Sequence, residues 1–133
     1  MVKIVKGIPD GWGVCSQTTL LGSPTQTLSC HNNSIVVGSK PGDITILCAI
    51  TGSQSAVLSG HTDQVNCVVF TSDGTSLVSG SSDWTVKLWD VQTGGVVETF
   101  FGPKNAVWSV SISVDCIMVA SGSDDQATCL WNI

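Results

Sequence analysis

Residues 60–91 read GHTDQVNCVVFTSDGTSLVSGSSDWTVKLWDV, and residues 102–133 read GPKNAVWSVSISVDCIMVASGSDDQATCLWNI. The second stretch repeats the first at an offset of 42 residues, without a gap. Identical pairs include Gly60/Gly102, Gly80/Gly122, Asp83/Asp125, Leu88/Leu130 and Trp89/Trp131. A fixed period of this size marks a repeated supersecondary unit. One period earlier, Ile35-Val36-Val37-Gly38-Ser39 falls on Leu77-Val78-Ser79-Gly80-Ser81, and Ile44-Thr45-Ile46-Leu47 falls on Val86-Lys87-Leu88-Trp89. Gly52 falls on Gly94. A last step back sets Val2-Lys3-Ile4-Val5 on the strand that begins at Val86.

Within each unit the texture is β. Residues 65–70, 77–81, 86–89 and 96–100 are short runs rich in Val, Thr and aromatics, separated by Ser72-Asp73-Gly74, Ser82-Asp83 and Thr93-Gly94-Gly95. No segment has helical periodicity. Four short strands per unit of about forty residues make a propeller blade. The expected fold is all-β: a β-propeller segment of about three four-stranded blades, not a closed ring on its own. The division is 1–17 (a partial strand pair), 18–59 (a degenerate repeat), 60–101 (the best repeat) and 102–133 (a repeat lacking its outermost strand). Three blades fall short of the four to eight that close propellers. The chain is therefore read as part of a longer propeller or, second, as a homo-oligomer completing a ring. The fragment reading is preferred because the terminal repeats of a dedicated assembly should carry deliberate caps.

Composition narrows the function. Charged residues are 11% and apolar residues 42% of the 133, the balance of a packed protein. Net charge is −5, and the five basic residues are all lysine. Without arginine or a basic cluster, nucleic acid and anionic membrane are poor partners. No stretch resembles a signal peptide or a membrane span, so the cytoplasm is expected. Cys15, Cys30, Cys48, Cys67, Cys116 and Cys129 match no zinc spacing and are read as small, reduced core residues. No metal or cofactor is expected.

Gly60-His61, Asp83 and Trp89-Asp90 at this spacing resemble the WD-repeat family. The resemblance is strong over 60–91, clear over 102–133, moderate over 19–59 and weak over 1–18. The wording of LVSGSSDWTVKLWDVQTGG (77–95) and SVSISVDC (109–116) is also similar to WD arrays of fungal NACHT-type signalling NTPases, although no G-x-x-x-x-G-K-[ST] occurs in this chain. The family resemblance implies a buried hydrogen-bond chain through His61, Ser79, Asp83 and Trp89. Its third-repeat counterpart is Ser121, Asp125 and Trp131, with Pro103 at the histidine position. In the first repeat the positions hold Thr19, Val37, Pro41 and Leu47. A catalytic triad of His61, Ser79 and Asp83 is rejected, because a nucleophilic serine must be exposed beside an oxyanion site.

The implied function is a non-catalytic protein–protein interaction scaffold, part of a larger signalling or sensor protein. Its partners would be proteins or peptides. The alternative is a small-ligand or glycan-binding propeller using Trp12, Trp84 or Trp108. The resemblance places the partner face at Gln64, Asn66 and Ser82, then Ala106, Trp108 and Asp124, then Gly22, Pro24 and Lys40. Trp108 leads that set because aromatics are frequent hot spots. His31, aligned with Asp73, is expected to be a solvated loop residue.

Overall fold

The computed structural model describes residues 2–4, 17–19 and 21–133, the first two groups by backbone course alone. Readings of residues 5–16, including Trp12 and Cys15, lie outside the described residues.

Among the described residues every regular element is a strand. β1 (Val2–Ile4) pairs antiparallel with β2 (Gln17–Thr19) in a sheet of two. The first blade is β3 (Thr25–His31), β4 (Ser34–Ser39), β5 (Ile44–Cys48) and β6 (Gln54–Leu58). The second is β7 (Val65–Phe70), β8 (Ser76–Ser81), β9 (Thr85–Asp90) and β10 (Val96–Phe101). The third has three strands, β11 (Val107–Ile112), β12 (Met118–Ser123) and β13 (Thr128–Asn132). Each strand lies beside its neighbour in the chain, so tight turns make every connection within a blade. The innermost strands β3, β7 and β11 stand side by side, and the sheets do not close into a ring.

The middle blade is covered on both faces, which explains its composition. Leu77, Val78, Ser79, Gly80 and Ser81 are consecutive and all buried. A strand sandwiched between two layers cannot alternate apolar and polar residues. One seam packs Val36, Ile44, Ile46 and Leu58 of the first blade against Val65, Val68, Phe70, Leu77 and Trp89. The other packs Val78, Val86, Leu88 and Phe100 against Val107 and Val119. Burial of each such side chain contributes roughly 1.5–3 kcal/mol.

A glycine sets the spacing at both seams. A Cβ on Gly38 would lie 2.7 Å from Val65 Cγ1, and one on Gly80 would lie 2.5 Å from Val107 Cγ1. The valines opening β7 and β11 thus each fill a notch in the second strand of the blade before. Gly122 holds the same register position, and a Cβ there meets nothing within 4 Å.

Three readings are corrected here. Leu77 pairs with Phe70 and Ile35 with Cys30, so the β3–β4 hairpin is two residues shorter than the β7–β8 hairpin. It turns through Asn32 at φ 50°. Upstream of the hairpin the true offset between the first two blades is therefore 40, not 42. His31 closes β3 rather than sitting in a solvated loop: it is half-buried, 5.8 Å from the Phe70 ring, over Gly74. Among the described cysteines only Cys67 packs against a core cluster. Cys30 is exposed, and Cys48, Cys67, Cys116 and Cys129 are half-buried, all as free thiols. Cys67, at the second seam, has its thiol pushed up to about 12 by burial and is thereby inert.

The notches yield a stability test. Gly80→Ala must displace Val107 and is expected to cost about 1–3 kcal/mol. Gly122→Ala should stay within about 0.5 kcal/mol. Urea melts of the two variants check this, and equal losses would refute the notch.

Candidate functional site

The loops entering β3, β7 and β11 meet the β4–β5, β8–β9 and β12–β13 turns at one end of the blades, here called the upper face. Those turns share a backbone design. Gly42, Trp84 and Gln126 occupy equivalent positions at φ 103°, 71° and 67°. Gly42 is obligatory there, since a Cβ would lie 2.7 Å from the His61 carbonyl oxygen. Trp84 carries its side chain 53% exposed instead.

Beneath this face lies a buried relay. Trp89 Nε1–H donates to Ser79 Oγ at 2.8 Å. Ser79 Oγ lies 2.7 Å from His61 Nε2, and His61 Nδ1 lies 2.8 Å from Asp83 Oδ2. The indole can only donate and the carboxylate can only accept, which orders the protons. In that order Ser79 Oγ–H donates to Nε2, and His61 Nδ1–H donates to Asp83. Asp83 also accepts from Thr62 N at 3.1 Å, Thr85 N at 2.9 Å and Thr85 Oγ1 at 2.7 Å. Burial raises the Asp83 carboxyl, but the bonds from His61, Thr85 and Thr62 outweigh it and hold it well below the usual carboxylate range. Ser79 is fully buried and both ring nitrogens of His61 are engaged.

The third blade keeps half of this. Asp125 accepts from Lys104 N at 2.7 Å and Ala127 N at 2.9 Å, the counterparts of Thr62 and Thr85. The turn is therefore clamped without a histidine. Ser121 Oγ is buried with no partner among the described residues. Trp131 is half-buried and packs against Phe100, ring centroids 5.3 Å apart. In the first blade Val37 and Leu47 are buried apolar replacements. The 40-residue offset moves the histidine position there from Thr19, which lies in β2, to Leu21.

Two residues outside the sequence reading complete the clamp. Ser81 Oγ donates to the carbonyls of Asp63 and Gln64, at 3.0 and 2.8 Å, and Ser123 Oγ repeats this toward Asn105 at 3.0 Å. Their identity across the repeats was a usable signal. Thr85 had none, because its counterpart is Ala127.

The upper-face residues are placed by the strand pairing. Lys40 N bonds Pro24 O, Ser82 N bonds Gln64 O and Asp124 N bonds Ala106 O. The register slips between Thr25 and Thr27, between Val65 and Cys67, and between Val107 and Ser109. Gln26, Asn66 and Trp108 are the bulged residues. The first-blade equivalents are therefore Pro24 and Gln26 rather than Gly22 and Pro24. A bulge re-aims its side chain independently of the pleat. Asn66 Nδ2 reaches Ser82 Oγ and Val107 O, each at 2.9 Å. Gln64 Nε2 donates to Asn66 Oδ1 at 2.7 Å and Gln26 Oε1 at 3.2 Å. This amide strip crosses from the first blade to the third. Trp108 is 51% exposed, and Asp124 and Lys40 are also exposed. No three His, Cys, Asp or Glu side chains among the described residues are grouped to hold a metal.

The model of the WD domain, G-beta repeat, matches residues 52–90 and 94–132, more than half of the chain. The chain belongs to the WD-repeat family. It is 35% identical over 77 residues to eukaryotic translation initiation factor 3 subunit I of Neosartorya fischeri, covering 58% of this chain and 23% of that protein. It is 40% identical over 76 residues to nuclear distribution protein nudF of Aspergillus flavus, covering 56% and 17%. Protein tipD of Dictyostelium discoideum is 36% identical over 73 residues, covering 55% and 12%. This WD-repeat chain thus spans less than a quarter of the length of these relatives.

Two expectations follow from the relay. Pro103→His would place a ring between Ser121 and Asp125, and each bond satisfied should add about 0.5–1.5 kcal/mol. A urea melt less stable than the parent's would refute the alignment of the third blade. Asp83 has a folded pKa below its unfolded value of about 4, so its contribution is complete above that pH and is lost as pH falls through the lower, folded value. Asp83→Asn should therefore lower stability at neutral pH and flatten the loss between about pH 4 and 2 in urea melts.

Proposed function

We propose that this chain is a non-catalytic platform that holds a protein or peptide partner over its upper face. One observation carries this reading. A bulge recurs at the same point of each inner strand, on a shared framework, with a different side chain each time: Gln26, Asn66 and Trp108. A framework that is kept while its aimed residues differ suits recognition by surface chemistry. Catalysis is disfavoured because His61 has both nitrogens occupied and Ser79 is sealed from solvent. The candidate contact residues are Trp108, Asp124, Asn66, Gln64, Ser82 and, from the first blade, Gln26 and Lys40. The wider setting we propose is a cytoplasmic signalling or sensor protein similar to fungal NACHT-type NTPases. The wording of residues 77–95 and 109–116 supports it.

Affinity capture with the purified chain tests the proposal, with Trp108→Ala as the comparison once its melt matches the parent. A protein partner retained by the parent and reduced about tenfold by Trp108→Ala is the expected result. Unchanged capture by the variant would remove the upper face from the binding site. Binding on a glycan array that is lost in Trp108→Ala would replace the protein partner with a sugar.

A further inference from the structure

Resting on the platform reading, we infer that Trp108 and Asp124 form a pocket for a cationic side chain, lysine or arginine, of a peptide partner. The pairing comes from the neighbouring blade. There the bulge residue Asn66 touches Ser82, Nδ2 to Oγ 2.9 Å. Trp108 stands at the Asn66 position, and Asp124 at the Ser82 position is fixed by its bond to Ala106 O at 3.1 Å. By the same register the third blade sets an indole and a carboxylate at the two corresponding positions, both exposed. An indole face with an adjacent carboxylate attracts a cation by the ring quadrupole and by charge.

Hydrogen-bond accounting on the adjoining strip points the same way. Val107 O can only accept, so the Asn66 amide must turn its nitrogen toward it. Asn66 then spends both N–H groups, on Val107 O and Ser82 Oγ. Its Oδ1 faces Gln64 Nε2, which spends both of its own N–H groups on Asn66 and Gln26. What the two amides have left is oxygen. A ligand crossing from this strip to Trp108 meets acceptors and needs donors, which a guanidinium or ammonium supplies. The neighbouring Asp125 is not available, being held by Lys104 N and Ala127 N. Asp63 adds an exposed acid on the loop entering β7. The chain's net charge of −5 favours a basic partner at long range.

Panning a randomised peptide library on the full 133-residue chain tests this. Selected peptides should share a lysine or arginine. Changing that residue to Gln, or making Asp124→Asn or Trp108→Ala in the protein, should each weaken binding about tenfold. The double change should cost less than the sum of the two, as coupled groups do. Peptides that lose binding in Asn66→Ala or Trp108→Ala but carry no basic residue would overturn the cation pocket and leave the platform standing. Peptides indifferent to every upper-face variant, or no enrichment, would overturn both.

Discussion

Ser79 Oγ is the junction on which the middle blade depends. It accepts the indole N–H of Trp89 and donates its own O–H to His61, which fixes the imidazole tautomer and aims the remaining N–H at Asp83. Because every member is satisfied in one proton order, the relay is favourable despite its burial. It connects strand β9, strand β8, the loop entering β7 and the β8–β9 turn, four pieces that apolar packing alone would leave free to slide. Asp83 then extends the clamp to the backbone of Thr62 and Thr85.

The same elements hold the blades to one another. The loop that His61 anchors passes over Gly42 of the first blade, close enough to exclude any side chain. The strand that follows drops Val65 into the Gly38 notch. Polar clamp and apolar seam therefore act on one segment. The third blade shows which half is dispensable. Without a histidine, Asp125 still clamps its turn through two backbone donors, and Val107 still fills the Gly80 notch. What is lost is the satisfaction of Ser121.

Much of this was legible in the sequence because two repeats keep the period strictly. Strand count, blade order and the His61–Ser79–Asp83–Trp89 set follow from identities at 42 residues. The reading went astray where the period slipped. Shortening the β3–β4 hairpin by two residues leaves strands β4 and β5 in phase but shifts everything upstream. Gly22 was therefore named where Pro24 belongs, and Pro24 where Gln26 belongs. Hairpin length is set by turn geometry, which a two-residue Asn32-Asn33 turn satisfies as well as a longer one. The described cysteines other than Cys67 depart from the core reading for a different reason. Cysteine behaves as a small buried hydrophobe only where a neighbouring layer covers it, and Cys30 on β3 has none among the described residues. The bulges had no signature at all, since Gln26, Asn66 and Trp108 have nothing in common as residue types.

That lack of a shared residue type is itself instructive. A bulge detaches one side chain from the alternation that dictates its neighbours, so the position stays outside both apolar clusters. Val65 and Val107, one residue before the bulges, are fully buried and fixed by the notches. Asn66 and Trp108 follow them directly and belong to neither apolar cluster. Stability and recognition are thus separated by a single step along the chain. The framework can be held constant for assembly while the residue beside it is free to match whatever lies over the upper face.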